Sequence, residues 1–330
     1  MSRLTLSIAL GAYDHVRDLT EGIIRPDGLD LVGMHFQPEE VFFRFLRFRE
    51  FDISEVSFAK YIAMASSPQG CDFIALPVFP SRVFRHSSIY VRADAGITRP
   101  QDLAGRRVGL PEWAQTAAIY SRGLLAHEYG VDLRSIDWVQ AGVNQPGRKE
   151  KVALALPEGL RCTPAPQASL SSLLADGGID AALTARPPEA FLRGDGRVVR
   201  LFADYRETEL DYWRRTGIFP IMHVVVLRRE VHERHPWVAM NLLKAFEQAK
   251  EASQARALDI TCSAFPVPWL PDHAEQARSL MGGDLWPYGV DANQATLRAF
   301  TQYAYEQGVA QRLMAPEELF APQTLERFKV

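Results

Sequence analysis

Cysteine is scarce in this chain: Cys71, Cys162 and Cys262 are the three among 330 residues, far apart and with no CxxC pair. That excludes a disulfide framework and a cysteine-held zinc site, and it fits a reducing compartment. Neither sign of charge is in excess. With 37 Lys and Arg against 40 Asp and Glu, the net charge of −3 gives no electrostatic grounds for binding nucleic acid or an anionic membrane. No apolar run is long enough to span a bilayer. The N-terminus lacks the basic region, apolar stretch and small-residue cleavage site of a secretory signal, and Leu4 to Leu10 alternates as a strand does. A cytoplasmic protein is expected. Nucleotide and serine-hydrolase motifs are missing as well: there is no GxxxxGK[ST] and no GxSxG, and Gly194-Asp195-Gly196 lacks the third glycine of a dinucleotide loop. His232 and His235 have no HExxH around them, and at a loop-to-helix junction before Pro236 they read as a cap, not a metal site.

What is present is ample apolar material, 47% of residues, in a chain too long for one core of ordinary size, so two lobes are expected. Strand and helix signals alternate from the start. Leu4 to Leu10 predicts a strand, Pro38 to Phe48 a helix, and Phe51 to Val56 a short strand followed by a helix that Ser57 is placed to cap. Phe42, Phe43, Phe45 and Phe48 read as lobe core. Residues 102–110 predict a turn and strand, and Pro111 opens a helix from about Ala114 to Glu128. Asp176 to Thr184 repeats the element seen at Phe51 to Ser54. Such alternation predicts an α/β protein with largely parallel sheets. Ser87 to Val91 and Ile221 to Leu227 are the stretches expected to cross between lobes. The boundaries predicted are 1–90 with 216–330 for a discontinuous first lobe, and 91–215 for an inserted second lobe.

Four stretches carry a family resemblance: Pro77 to His86, Gly109 to Ala118, Arg214 to His223, and Trp286-Pro287-Tyr288-Gly289. With Asp102 to Gly109, they make the chain resemble the 4,5-dihydroxyphthalate decarboxylase family, over nearly its whole length. The resemblance implies a type II periplasmic-binding-protein-like fold: two lobes, each a mixed, mostly parallel sheet flanked by helices, with the ligand in the cleft between them. It also implies an activity, loss of CO2 from 4,5-dihydroxyphthalate to give 3,4-dihydroxybenzoate. Each ring carboxylate lies para to a hydroxyl, so deprotonating that hydroxyl drives electrons toward the carbon that loses CO2. The phenol supplies the electrons, and no cofactor or metal is expected. The chain departs from the family pattern at Ala12 and His15, in the first loop.

This chemistry needs a base, an acid and cations for carboxylates. His15, His86 and His223 are the candidates for proton transfer, since imidazole titrates near neutral pH. Glu112 is a candidate base. Arg85 and Arg17 are candidates to hold a carboxylate with the guanidinium fork. Thr116 offers a hydroxyl beside backbone N–H groups near Ala114 to Thr116. Tyr13, Glu55, Ser57, Trp113 and Arg186 complete the set expected to line the cleft. Arg148, Lys149 and Lys151 read as a solvated basic loop. Two other functions fit the same residues: a cytosolic protein that binds a small anion or aromatic acid without catalysis, and a metal-assisted decarboxylase. The expected partner is a small aromatic dicarboxylate, with no nucleic acid and no membrane. Trp269, Leu270 and the helices after Trp237 are candidates for a face toward a second subunit in a homo-oligomer.

Overall fold

The structure, a computed structural model, describes residues 3–152 and 154–325. Its first passage runs β1 (Leu4–Leu10), α1 (Asp14–Thr20), β2 (Leu29–His35), α2 (Pro38–Phe48), β3 (Ile53–Ser57), α3 (Phe58–Ala65) and β4 (Phe73–Leu76). The second runs β5 (Ile89–Arg92), β6 (Arg107–Leu110), α4 (Thr116–His127), β7 (Asp137–Gly142) and β8 (Cys162–Ser169). It continues with α5 (Leu170–Ala175), β9 (Ala181–Leu183), α6 (Glu189–Leu192), β10 (Val198–Arg200) and α7 (Tyr205–Thr216). The chain then returns through β11 (His223–Arg228), α8 (Arg229–Arg234), α9 (Trp237–Leu258), α10 (Leu270–Leu280) and α11 (Gln294–Glu306).

The strands sort into two sheets, a five-stranded β2-β1-β3-β11-β4 and a six-stranded β10-β5-β9-β6-β7-β8. Both are mixed. In the first, β1 pairs parallel with β2 and β3, while β11 runs antiparallel between β3 and β4. In the second, β6 to β9 pair parallel and β5 is antiparallel to both its neighbours. The stretches expected to cross between lobes therefore end in different sheets. At the crossing itself, Arg82 and Ile221 form a single bridge.

Two local expectations change. Phe42 and Phe45 are buried, but Phe43 and Phe48 are 61% and 62% exposed, because α2 turns one face only to the sheet. The α4 helix begins at Thr116, not near Ala114, because the Trp113 and Ala114 N–H groups are already held by the Glu150 carboxylate, at 2.5 and 3.3 Å.

One apolar core runs through both lobes. Phe300 of α11 lies between Phe58 of α3 and Tyr120 of α4, with ring centroids 4.6 and 4.8 Å away. Gln307, just after α11, accepts from Arg122 Nε at 2.8 Å, donates to the Ile119 carbonyl at 3.0 Å, and offers its own carbonyl to the Trp113 indole at 2.8 Å. Gly123 lets these helices meet, since a Cβ there would collide with the Tyr303 ring. No helix among the described residues is long and apolar enough to cross a membrane. Gly123→Val is expected to lower the unfolding free energy by about 1–3 kcal/mol, measured by urea denaturation. An unchanged midpoint would mean that α4 and α11 are not in this close contact.

Candidate active site

β3 lies at the centre of the first sheet, and all five of its residues are buried. A carboxylate is out of place there, yet Glu55 in its middle has no exposed surface. Strand side chains alternate, so Glu55 and Ser57 share one face. The register sets Val225 opposite Glu55 and His223 opposite Ser57. That face gathers polar side chains of the first sheet.

Glu55 accepts three hydrogen bonds: from the Gly11 N–H at 2.8 Å, from the Tyr13 hydroxyl at 2.7 Å, and from His223 Nδ1 at 2.5 Å. Burial works against its charge, but His223 and the two other donors outweigh burial and hold the carboxyl below its ordinary range. A carboxylate only accepts, so His223 donates to it through Nδ1, and Nε2 is the ring nitrogen turned away from Glu55. Phe42 fixes the imidazole edge-on at 4.9 Å. Burial, and then Glu55, push the Tyr13 hydroxyl far above its usual range, so it stays protonated.

His15 completes the group, packed between Tyr13 at 5.5 Å and Trp286 at 5.4 Å. Burial pulls its pKa down to about 4, against Glu55 and a bond to the Pro80 carbonyl. It is therefore neutral near pH 7, and its Nε2 is buried without a partner among the described residues. The structure thus brings together Tyr13, His15, Glu55 and His223.

A second group lies where the lobes meet. Thr116 Oγ1 accepts from the Ala59 N–H at 3.1 Å and is 3.0 Å from the Ser57 hydroxyl. Ser57 occupies the cap position of α3, but the side-chain cap comes from Thr116 across the cleft. Glu112 is almost fully buried and faces Arg148 Nε at 2.6 Å, Lys60 at 3.6 Å and Lys151 at 3.7 Å. The basic loop is thus not simply solvated: Arg148 and Lys151 hold a buried carboxylate. Lys60 went unnoticed in the sequence, although it is the one charged residue in the apolar helix FAKYIAMA.

The remaining candidates lie apart from these groups. His86 opens a short 3-10 turn and packs among Phe202, Tyr212 and Tyr129, with ring centroids 5.1, 5.2 and 6.1 Å away. Neither of its nitrogens has a hydrogen-bond partner among the described residues, and burial, followed by the Arg215 charge, lowers its pKa to about 4. Arg85 is buried beside Ser88 and Met222. Burial brings its pKa to about 10. Trp113 is inside the core, with the Arg122 guanidinium 3.8 Å over its ring. Arg17 pairs on the surface side with Asp14 at 2.9 Å. Arg186 bonds Glu39 of α2 at 2.8 Å, an exposed ion pair that joins the lobes.

A 4,5-dihydroxyphthalate decarboxylase of Comamonas testosteroni is 43% identical to this chain over 334 residues, all of both proteins. The chain belongs to the 4,5-dihydroxyphthalate decarboxylase family. A second member, from Pseudomonas putida, is 40% identical over 218 residues, 65% of this chain and 83% of the relative. Residues 83–155 match the family described as NMT1/THI5 like. Among solved structures, the periplasmic aliphatic sulphonate binding protein SsuA of Escherichia coli has a TM-score of 0.54 at 14% identity, covering 98% of this chain and 99% of that one. A structure from Bordetella bronchiseptica RB50 reaches 0.51 at 16% identity, covering 96% and 94%. These likenesses show the fold, a type II periplasmic-binding-protein-like α/β architecture of two lobes.

In this family member, the low pKa of His86 ties stability to pH. An unfolded histidine titrates near 6.5 and the buried one near 4, so the neutral ring contributes fully above pH 6.5 and that contribution is lost as pH falls toward 4. His86→Phe is expected to flatten the fall in unfolding free energy over this window, by up to ~3 kcal/mol at pH 4. Denaturant titrations at pH 4, 5, 6 and 7 measure it. A slope identical to wild type would refute the buried, neutral imidazole.

Proposed function

We propose that this protein is a carboxy-lyase that converts 4,5-dihydroxyphthalate to 3,4-dihydroxybenzoate and CO2 in the cytoplasm, with no cofactor. The observation that carries this reading is the short Glu55–His223 hydrogen bond, which fixes the imidazole with Nε2 turned away from Glu55. The family membership supports the substrate. His223 is one-fifth exposed at its side chain and so can meet a ligand, whereas Glu55 behind it is sealed from water.

His223 Nε2 is the base for one ring hydroxyl. Glu55 holds the tautomer and steadies the imidazolium that forms, the role of a buried carboxylate behind a histidine. His15, neutral and packed against Tyr13 and Trp286, backs this group as a fixed, uncharged wall. Electrons from the phenolate reach the para carbon, which takes up one proton from outside the substrate. The carbon–carbon bond then breaks, its electron pair restores the aromatic ring, and CO2 leaves. Ser57 and Thr116 offer hydroxyls on the same side of the cleft. Glu112 is assigned to the ion cluster and not to proton transfer.

Incubation of the purified protein with 4,5-dihydroxyphthalate is expected to release CO2 and 3,4-dihydroxybenzoate in equal amounts. His223→Asn should lower kcat by about 10²–10⁴-fold, and Glu55→Gln should lower kcat with little change in KM, since a neutral amide cannot stabilise the imidazolium. Binding without turnover would move the protein to the non-catalytic class, and full activity in His223→Asn would remove this base.

A further inference from the structure

The proton-handling end of the site, built around Glu55, carries a fixed negative charge. A dihydroxylated benzene dicarboxylate has its hydroxyls at one end of the ring and its carboxylates at the other. A ring with a hydroxyl at His223 therefore turns its carboxylates away from Glu55. Followed along the chain, β3 passes directly into α3, so Glu55, Ser57 and Lys60 are met in succession, with Lys60 in the first turn of the helix.

Lys60 is an unusual cation. Its side chain is only 12% exposed, and its ammonium lies 3.6 Å from Glu112 Oε2, near enough for an ion pair and too far for a hydrogen bond. No hydrogen bond to the Lys60 ammonium is found among the described residues, and Glu112 Oε2 likewise has no hydrogen-bond partner among them. The other oxygen, Oε1, is taken by Arg148 through Nε at 2.6 Å and Nη2 at 2.5 Å, with Lys151 at 3.7 Å. Glu150 is engaged elsewhere, on the Trp113 and Ala114 N–H groups. Lys60 and Lys151 thus both face Glu112 without a hydrogen bond, and Lys60 is the buried one of the two, its side chain 12% exposed against 48% for Lys151. Burial lowers the Lys60 pKa, with Lys151 and Arg148 adding to the effect and Glu112 opposing it. A buried ammonium with three donors and an ion pair but no hydrogen-bond acceptor gains when an oxygen anion comes within hydrogen-bond reach.

We propose that Lys60 is the cation that receives a carboxylate of the substrate, the one retained in the product, and so makes the site selective for aromatic acids over neutral catechols. Along the chain Ser57 stands between Glu55 and Lys60, and Thr116 bonds both Ser57 and the Ala59 N–H next to Lys60, so the phenolic and carboxylate ends of one ring are assigned along this stretch. This assignment rests on the decarboxylase reading above.

The test compares Lys60→Met, Lys60→Gln and Lys60→Arg with wild type, using 4,5-dihydroxyphthalate as substrate and 3,4-dihydroxybenzoate and catechol as inhibitors. Loss of the charge should raise KM for the substrate and Ki for 3,4-dihydroxybenzoate by about 10–100-fold, the effect of one charge-assisted hydrogen bond. Ki for catechol, which has no carboxylate, should change less than about twofold, and Lys60→Arg should recover most of the loss. A purely structural Lys60 would weaken both inhibitors together, and a bystander would weaken neither; each result overturns the assignment. Should Lys60→Met not fold, Lys60→Gln and Lys60→Arg carry the same comparison. If wild type releases no CO2, the decarboxylase reading fails. Calorimetry with 3,4-dihydroxybenzoate and catechol then decides Lys60 by the same difference in affinity.

Discussion

Burying the Glu55 carboxylate in the middle of a central strand costs several kcal/mol unless donors replace its water, and much of the first lobe is arranged to supply them. β11 must run antiparallel beside β3 to bring His223 within reach. The loop after β1 must turn tightly enough for the Gly11 N–H to point at Glu55 and for Tyr13 to fold over it. A side chain at position 11 would set its Cβ 2.6 Å from the Tyr13 ring, so the turn needs glycine. Three donors from three separate stretches thus converge on one anion. Each of them is fixed by it in return.

A site held this firmly on one side needs an equally firm opposite wall. Phe300 between Phe58 and Tyr120, and Gln307 among Arg122, Ile119 and Trp113, join the lobes through shared core instead of surface contact. Such contacts are close-packed and tolerate little displacement. Thr116 capping α3 from the other lobe carries the same coupling to the edge of the cleft. Arg186 with Glu39 is different, being exposed and worth roughly 0–1 kcal/mol.

Much of this was legible in the sequence, for identifiable reasons. β1 spans Leu4–Leu10 and α2 spans Pro38–Phe48, as read, because local periodicity and a leading proline define both. The start of α4 was not readable, since the group that holds the Trp113 and Ala114 N–H groups comes from Glu150, 36 residues beyond Ala114. The pairing of His223 with Glu55 depends on strand register between residues 168 apart, which no local pattern encodes. Family-like stretches drew attention to His86 and Trp113, yet their surroundings of Phe202, Tyr212 and Arg122 come from distant segments. Lys60 was visible all along as a charge in an apolar helix. Its significance appears only when Arg148 is seen to take Glu112 Oε1 and leave Oε2 to face Lys60.

The shared core between α4 and α11 bears on what kind of work this fold can do. A protein that reports its occupancy to a partner needs a soft joint, so that the arrival of a ligand becomes a change of shape. Here the helix that borders the cleft is bonded into the opposite lobe through Gln307 and pressed against Tyr303 at Gly123. Separating α4 from α11 would have to break that packing first.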